Sequence, residues 1–386
     1  MKIPKALDKI LTIIGYALSI APYILIGIHS ARSADALIES DHGGLELLIL
    51  GGLMLVAVLF LLMHIIIHEG GHLVMGLATG WKYSSFRIGT LVLAKQDGKL
   101  KWKKTTVMGT GGQCLMIPPE CEPEKCPFFL YLLGGGLANI VTGGIALAIG
   151  LLLGGIPEVI LVLFAITGFG LGVMNLFPAK MGGTMNDGHQ IFIEFPGNSD
   201  TKKYTYCLLA ANAILSEAES TKALPEALRS IILNSDYSDL SNTSIANLYL
   251  FKGVILQEEE KYEELRELYR NVAESGNAIQ LFKNEANCEL LYLEIMGDCN
   301  SEEIERIADK KLMEYIKATA LYPSRKRLMY AYYLIYKKDT EAAEKELEAL
   351  KKTASTHPSR TEGVLELKEA ERVRLHYENG RTEQKT

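Results

Sequence analysis

The sequence predicts an all-α polytopic membrane half with a small β-hairpin insertion, followed by a soluble α-helical repeat domain. Three observations lead there. Residues 1–196 are crowded with long apolar runs and glycine, residues 200–386 hold no run long enough to cross a bilayer, and that second half places apolar residues at helical spacing among many charges. A chain of 386 residues has room for both parts.

A membrane span needs roughly 20 apolar residues. Four stretches meet or approach that: Ile10–Ile28, Leu47–Ile67, Phe128–Leu153 and Ile156–Phe177. Lys2, Lys5 and Lys9 precede the first, as they would in a signal peptide. The run is long and no small-x-small site closes it, so a retained first helix is expected. Positive charge sets orientation. Residues 29–45 carry Arg32 as their only Lys or Arg, whereas residues 79–127 carry Lys82, Arg87, Lys95, Lys99, Lys101, Lys103, Lys104 and Lys125. The N-terminus, the 79–127 loop and the C-terminal half are therefore expected in the cytoplasm.

The net charge of −6 is modest, and no sustained basic patch points to nucleic acid. The six cysteines, Cys114, Cys121, Cys126, Cys207, Cys288 and Cys299, face or border a reducing compartment on this topology, so disulfides are not expected. The first three form the one local cluster, but they lack the CxxC knuckles of structural zinc sites.

The second span runs without a break into His64-Ile-Ile-Ile-His68-Glu69-Gly70-Gly71-His72, which puts the histidines at its cytoplasmic end. In the loop that follows, Phe86–Leu93 and Lys99–Met108 alternate around Gln96-Asp97-Gly98, the pattern of a β-hairpin. Gly109-Thr-Gly-Gly-Gln-Cys and Ile117-Pro118-Pro119 end it. The third span opens with Gly134-Gly-Gly-Leu-Ala-Asn139, small residues that let membrane helices pack closely. The fourth ends at Asn175-Leu-Phe-Pro178, and a short apolar segment, Met185–Phe195, follows.

In His68-Glu69-x-x-His72 the two histidines stand one helical turn apart on one face and can share one zinc ion. Glu69, beside that face, can take a proton from water that the metal acidifies. Two histidines leave a catalytic site incomplete, because it needs a third protein ligand and an open position. Ionisable residues are expensive inside a membrane and mark function there. His64, one turn earlier, is open to three roles: an extra ligand, a partner of a ligand, or a polar lining of a wet cavity. His189 reads as a solvent-facing residue or a partner of a ligand.

These motifs resemble the site-2 protease family of intramembrane zinc proteases. His68-Glu-Gly-Gly-His72, Gly80 and Phe86-Arg-Ile-Gly89 look like its extended HExGH signature. Asn175-Leu-Phe-Pro178 with Asn186-Asp187-Gly188 resembles its second signature, N-x-x-P followed by D-G. Gly136-Leu-Ala-Asn139 resembles its G-P-x-x-N element without the proline. The likeness covers roughly residues 45–195. It implies Asp187 as third zinc ligand, Glu69 as catalytic base, and Asn139 and Asn175 as substrate-binding residues. The implied substrate is a membrane-anchored protein or peptide precursor. One departure is the insertion Ala179–Asn186, because the family keeps that interval short.

From Ile245 to Ala273, Leu248, Phe251, Gly253, Leu256, Tyr262, Leu265, Tyr269 and Val272 fall at helical spacing and resemble a tetratricopeptide repeat. Weaker echoes follow at Ala286–Ala320 and Arg327–Leu350. Such repeats imply a cytoplasmic protein partner. Two rival readings stay open: a catalytically inactive membrane scaffold, and a zinc transporter.

Overall fold

The computed structural model describes residues 4–37, 43–106 and 110–383. Lys2, Gly109 and the Met108 end of the second predicted strand lie outside them. The chain forms two compact units, Met1–Tyr83 with Gly111–Lys202, and Ser84–Thr110 with Lys203–Thr386.

In the first unit four helices follow the four apolar runs: α1 (Lys5–Leu37), α2 (Gly43–Ala78), α3 (Phe128–Leu153) and α4 (Gly155–Leu176). Each contains a stretch long and apolar enough to cross a membrane. Their outward faces are apolar, as with Leu55, Leu59, Leu62 and Ile66 on α2, while His64, Asn139 and Thr167 are buried within. That arrangement suits a lipid solvent, which cannot satisfy polar groups.

Small residues set how closely these helices approach. A Cβ at Gly71 of α2 would stand 2.2 Å from the carbonyl oxygen of Gly134 on α3. One at Gly172 of α4 would stand 2.8 Å from the carbonyl oxygen of Gly136. Gly154 and Gly155, at φ of +67° and +60°, turn the chain from α3 into α4 where a side chain would be strained.

The second unit begins in a β-sheet. The strands are β1 (Lys82–Ile88), β2 (Leu91–Gln96), β3 (Lys99–Lys104) and, back in the first unit, β4 (Gly112–Ile117). β2 lies between β1 and β3, antiparallel to both. The expected turn at Asp97-Gly98 is present, with both residues at positive φ and Gln96 paired with Lys99. The expected single strand Phe86–Leu93 is instead two. Gly89, at φ +58°, turns the chain and pairs Ile88 with Leu91, so the hairpin becomes a three-stranded meander. Apolar alternation continues across Gly89, which hid the turn. The meander belongs with the C-terminal helices, to which Gln96 Nε2 donates at Ser216 O (3.0 Å) and Lys103 Nζ at Ser355 O (3.1 Å).

After the short helices α5 (Asp187–His189) and α6 (Phe195–Gly197) of the first unit, those helices are α7 (Ser199–Glu217), α8 (Glu226–Asn234), α9 (Thr243–Glu258), α10 (Tyr262–Glu274), α11 (Gln280–Met296), α12 (Ser301–Ile307), α13 (Lys310–Ala318), α14 (Pro323–Ala331), α15 (Thr340–Thr356) and α16 (Arg360–Glu383). The predicted pair at 245–273 is α9 and α10. Gly253 gives Tyr269 its place between them, since a Cβ there would lie 2.8 Å from the tyrosine hydroxyl. The stretch 286–320 divides into parts of three helices, with Asn300 and Asp309 capping the second and third.

The core of this unit also holds charges that hydrophobic patterning does not show. Arg327, fully buried, pairs with Glu366 and Glu289 at 2.6 Å each and lies 3.7 Å from the centre of the Tyr292 ring. Gln257 donates to Glu366, and Tyr262 and Tyr292 donate to Glu369. Removing one partner of a buried pair strands the other charge. Arg327→Met should therefore destabilise this unit by about 3–5 kcal/mol in denaturant titration; a change below about 1 kcal/mol, as for exposed pairs, would show that the arginine is dispensable.

Candidate metal centre

On α2, His64, His68 and His72 recur every fourth residue and so line one face. All three are buried, as is Glu69. His68 Nε2 and His72 Nε2 stand 3.1 Å apart, and Asp187 Oδ2 lies 3.3 Å and 3.4 Å from them. Among the described residues these three are the group able to hold a metal ion together. Ligand atoms about 2.0–2.1 Å from a tetrahedral ion stand about 3.3 Å from one another, which is the spacing seen. Three lone-pair donors this close repel unless a cation or proton lies between them, so the residues fit a small divalent ion.

The sequence left open how Asp187 could reach the histidines across Ala179–Asn186. The insertion folds out of the way. Strands β5 (Lys180–Met181) and β6 (Thr184–Met185) pair around Gly182-Gly183, both at positive φ. Asn186 staples its base: its Oδ1 accepts from the main-chain N–H of Ala179 and His189, and its Nδ2 donates to the carbonyls of Met174 and Phe177 at 2.7 Å. Asp187 then opens the short helix α5 (Asp187–His189) next to the end of α4. Gly188 permits this, because a Cβ there would stand 2.1 Å from the Leu176 carbonyl oxygen. From α1, Asp8 accepts from His189 Nε2 and Lys180 Nζ at 3.0 Å, and the Tyr16 hydroxyl accepts from Gly182 N.

Glu69 faces β4. A Cβ at Gly112 would stand 2.7 Å from its Oε1. The Tyr131 hydroxyl donates to the Cys114 carbonyl at 2.6 Å, which fixes the strand from α3. Burial, with Glu69 nearby, pushes the Cys114 thiol up to about 12, so it stays protonated and inert at neutral pH. The glycine-rich stretch before Cys114 was visible in the sequence; its service to Glu69 was not.

No family model, curated protein or solved structure is similar to the chain, so the site stands on its own chemistry. The Nδ1 of His72 donates to the Tyr131 carbonyl at 2.8 Å, which turns the Nε2 lone pair to the centre. His64 lies outside the three-residue group and bonds Asn139 and the Phe164 carbonyl. Asn139, fully buried, bonds His64 and His68. Asn175 Nδ2 donates to Leu171 O of its own helix.

In the sequence Gly135 reads only as one of the small residues that let membrane helices pack closely. A Cβ there would lie 2.5 Å from His72 Nε2 and 2.7 Å from His68 Nε2. Gly135→Ala should therefore empty the centre while every ligand remains. Elemental analysis of purified protein should give close to no bound metal with helical content unchanged; native stoichiometry in that variant would contradict the assignment.

Proposed function

We propose that this chain is a zinc-dependent intramembrane endopeptidase of the site-2 protease type that cleaves a membrane-anchored protein or peptide precursor. The observation that carries this reading is the convergence of His68, His72 and Asp187 beside a buried Glu69, on helices apolar enough for a bilayer. Zinc bound by these three groups supplies Lewis acidity, polarising a carbonyl and lowering the pKa of water to about 7. Glu69 takes the proton of the attacking water as its oxygen bonds the scissile carbon. The same carboxyl then passes that proton to the amine nitrogen as the C–N bond breaks.

A helical substrate has to unwind first, because a helix ties up its own carbonyls. As an edge strand beside Glu69, β4 supports an extended substrate by main-chain pairing. Asn175, half-buried near the end of α4, remains the candidate substrate contact, whereas Asn139 serves the histidines. We read the C-terminal helices as tetratricopeptide-like, supported by Gly253 against Tyr269, and assign them a protein partner. The lysine-rich 79–127 loop supports a cytoplasmic placement for it.

The test compares membrane proteomes of cells expressing the native chain and Glu69→Gln. Membrane-anchored precursors should accumulate with the variant, whose cleavage should fall about 10²–10⁴-fold while its zinc content holds. Equal processing by both would favour the inactive scaffold. His68→Ala should lose zinc and cleavage together, and a zinc chelator should reproduce that loss in the native protein; chelator-resistant cleavage would contradict a metal mechanism.

A further inference from the structure

We propose that His64 is a positioning residue that, through Asn139, holds His68 in the one tautomer able to bind the metal. The inference rests on His68 being a ligand, but its first consequence can be read in metal-free protein.

The chain of hydrogen bonds starts at a group whose role is fixed. The Phe164 main-chain carbonyl can only accept, and it lies 3.0 Å from His64 Nε2, so that nitrogen carries a proton. A neutral imidazole then shows a lone pair at Nδ1. One end of the Asn139 carboxamide, placed as Oδ1, stands 3.2 Å from His64 Nδ1, and the other, placed as Nδ2, stands 3.3 Å from His68 Nδ1. The two ends have the same shape, so their partners decide which is which.

Two arrangements satisfy the distances. If the carboxamide oxygen faces His64, that ring must carry both protons. It would then be an imidazolium, 0% exposed within the helices, with no carboxylate among its bonded partners, and such a charge is costly at membrane depth. If the amide N–H faces His64, the ring stays neutral and the carboxamide oxygen faces His68. His68 Nδ1 must then donate, which leaves the lone pair on Nε2, the atom 3.3 Å from Asp187 Oδ2. The neutral arrangement is therefore the metal-competent one. His72 reaches the same state more directly, by donating from Nδ1 to the Tyr131 carbonyl.

The surroundings are shaped for this ring. A Cβ at Gly168 would stand 2.5 Å from His64 Cε1 and 2.9 Å from its Nε2. The Phe164 ring centre lies 4.1 Å from that of His64. An apolar side chain would fill the same space without directing Asn139.

Two measurements test the proposal on the full chain in lipid. Solid-state NMR of metal-free protein labelled with ¹⁵N-histidine, with His68 signals assigned by difference from His68→Ala, should show Nδ1 of His68 protonated and Nε2 bare. His68 protonated at Nε2 in the native chain would overturn the idea whatever the variants do. Zinc affinity by chelator competition should fall about 10–100-fold in His64→Leu and recover most of that loss in His64→Asn, whose side-chain oxygen can accept where Nδ1 did. Native affinity in His64→Leu, or equal losses in both variants, would also overturn it. A protein that binds no zinc but shows this tautomer would count against the proposed activity and not against the relay.

Discussion

The distance between α2 and α3 is set where Gly71 and Gly134 meet, backbone against backbone. Lipid gives helices little hydrophobic reason to associate, so close packing of small residues has to supply it. Everything at the candidate metal centre hangs on that contact. It brings the Tyr131 carbonyl to His72, the Asn139 carboxamide to His68, and the bare backbone of Gly135 against both Nε2 atoms. A side chain at either glycine would push α3 away and leave two buried imidazoles without partners, and an unpaired polar group is expensive in such surroundings.

Around this contact the buried polar groups form a continuous set. Main-chain carbonyls of Phe164 and Tyr131 sit at its outer ends, the histidines lie between, and Asp187 closes it opposite α2. Carbonyls are fixed acceptors, so His64 and His72 give protons outward to them; His72 then turns its Nε2 lone pair to the centre, and His64 turns Nδ1 to Asn139. Glu69 lies buried beside that group and faces β4 at Gly112. Asn186 and Gly188 perform the remaining task, keeping Asp187 at the end of α4 despite the hairpin inserted before it.

Much of this was legible in the sequence because its causes are local. Span lengths follow from apolar runs, and the helical repeat of four residues puts His68 and His72 on one face whatever else the chain does. Asp187 was reached only through a motif resemblance, and geometry now supplies its reason, the Gly182-Gly183 turn with the Asn186 staple. What stayed hidden depends on pairing across long separations. His64 meets Asn139 and Phe164 75 and 100 residues away, and Arg327 meets Glu366 39 residues away. No periodicity encodes such pairs. Gly89 was misread for another reason: glycine interrupts neither the alternation nor the motif around it, yet its backbone turns the chain.

Zinc K-edge absorption on the purified native chain decides whether His68, His72 and Asp187 hold the metal. The expected result is one zinc per chain with two imidazole nitrogens and carboxylate oxygen at about 2.0–2.2 Å, and loss of the bound zinc in Asp187→Ala. A sulfur shell at about 2.3 Å, or a signal unchanged by Asp187→Ala, would place any metal elsewhere and contradict it.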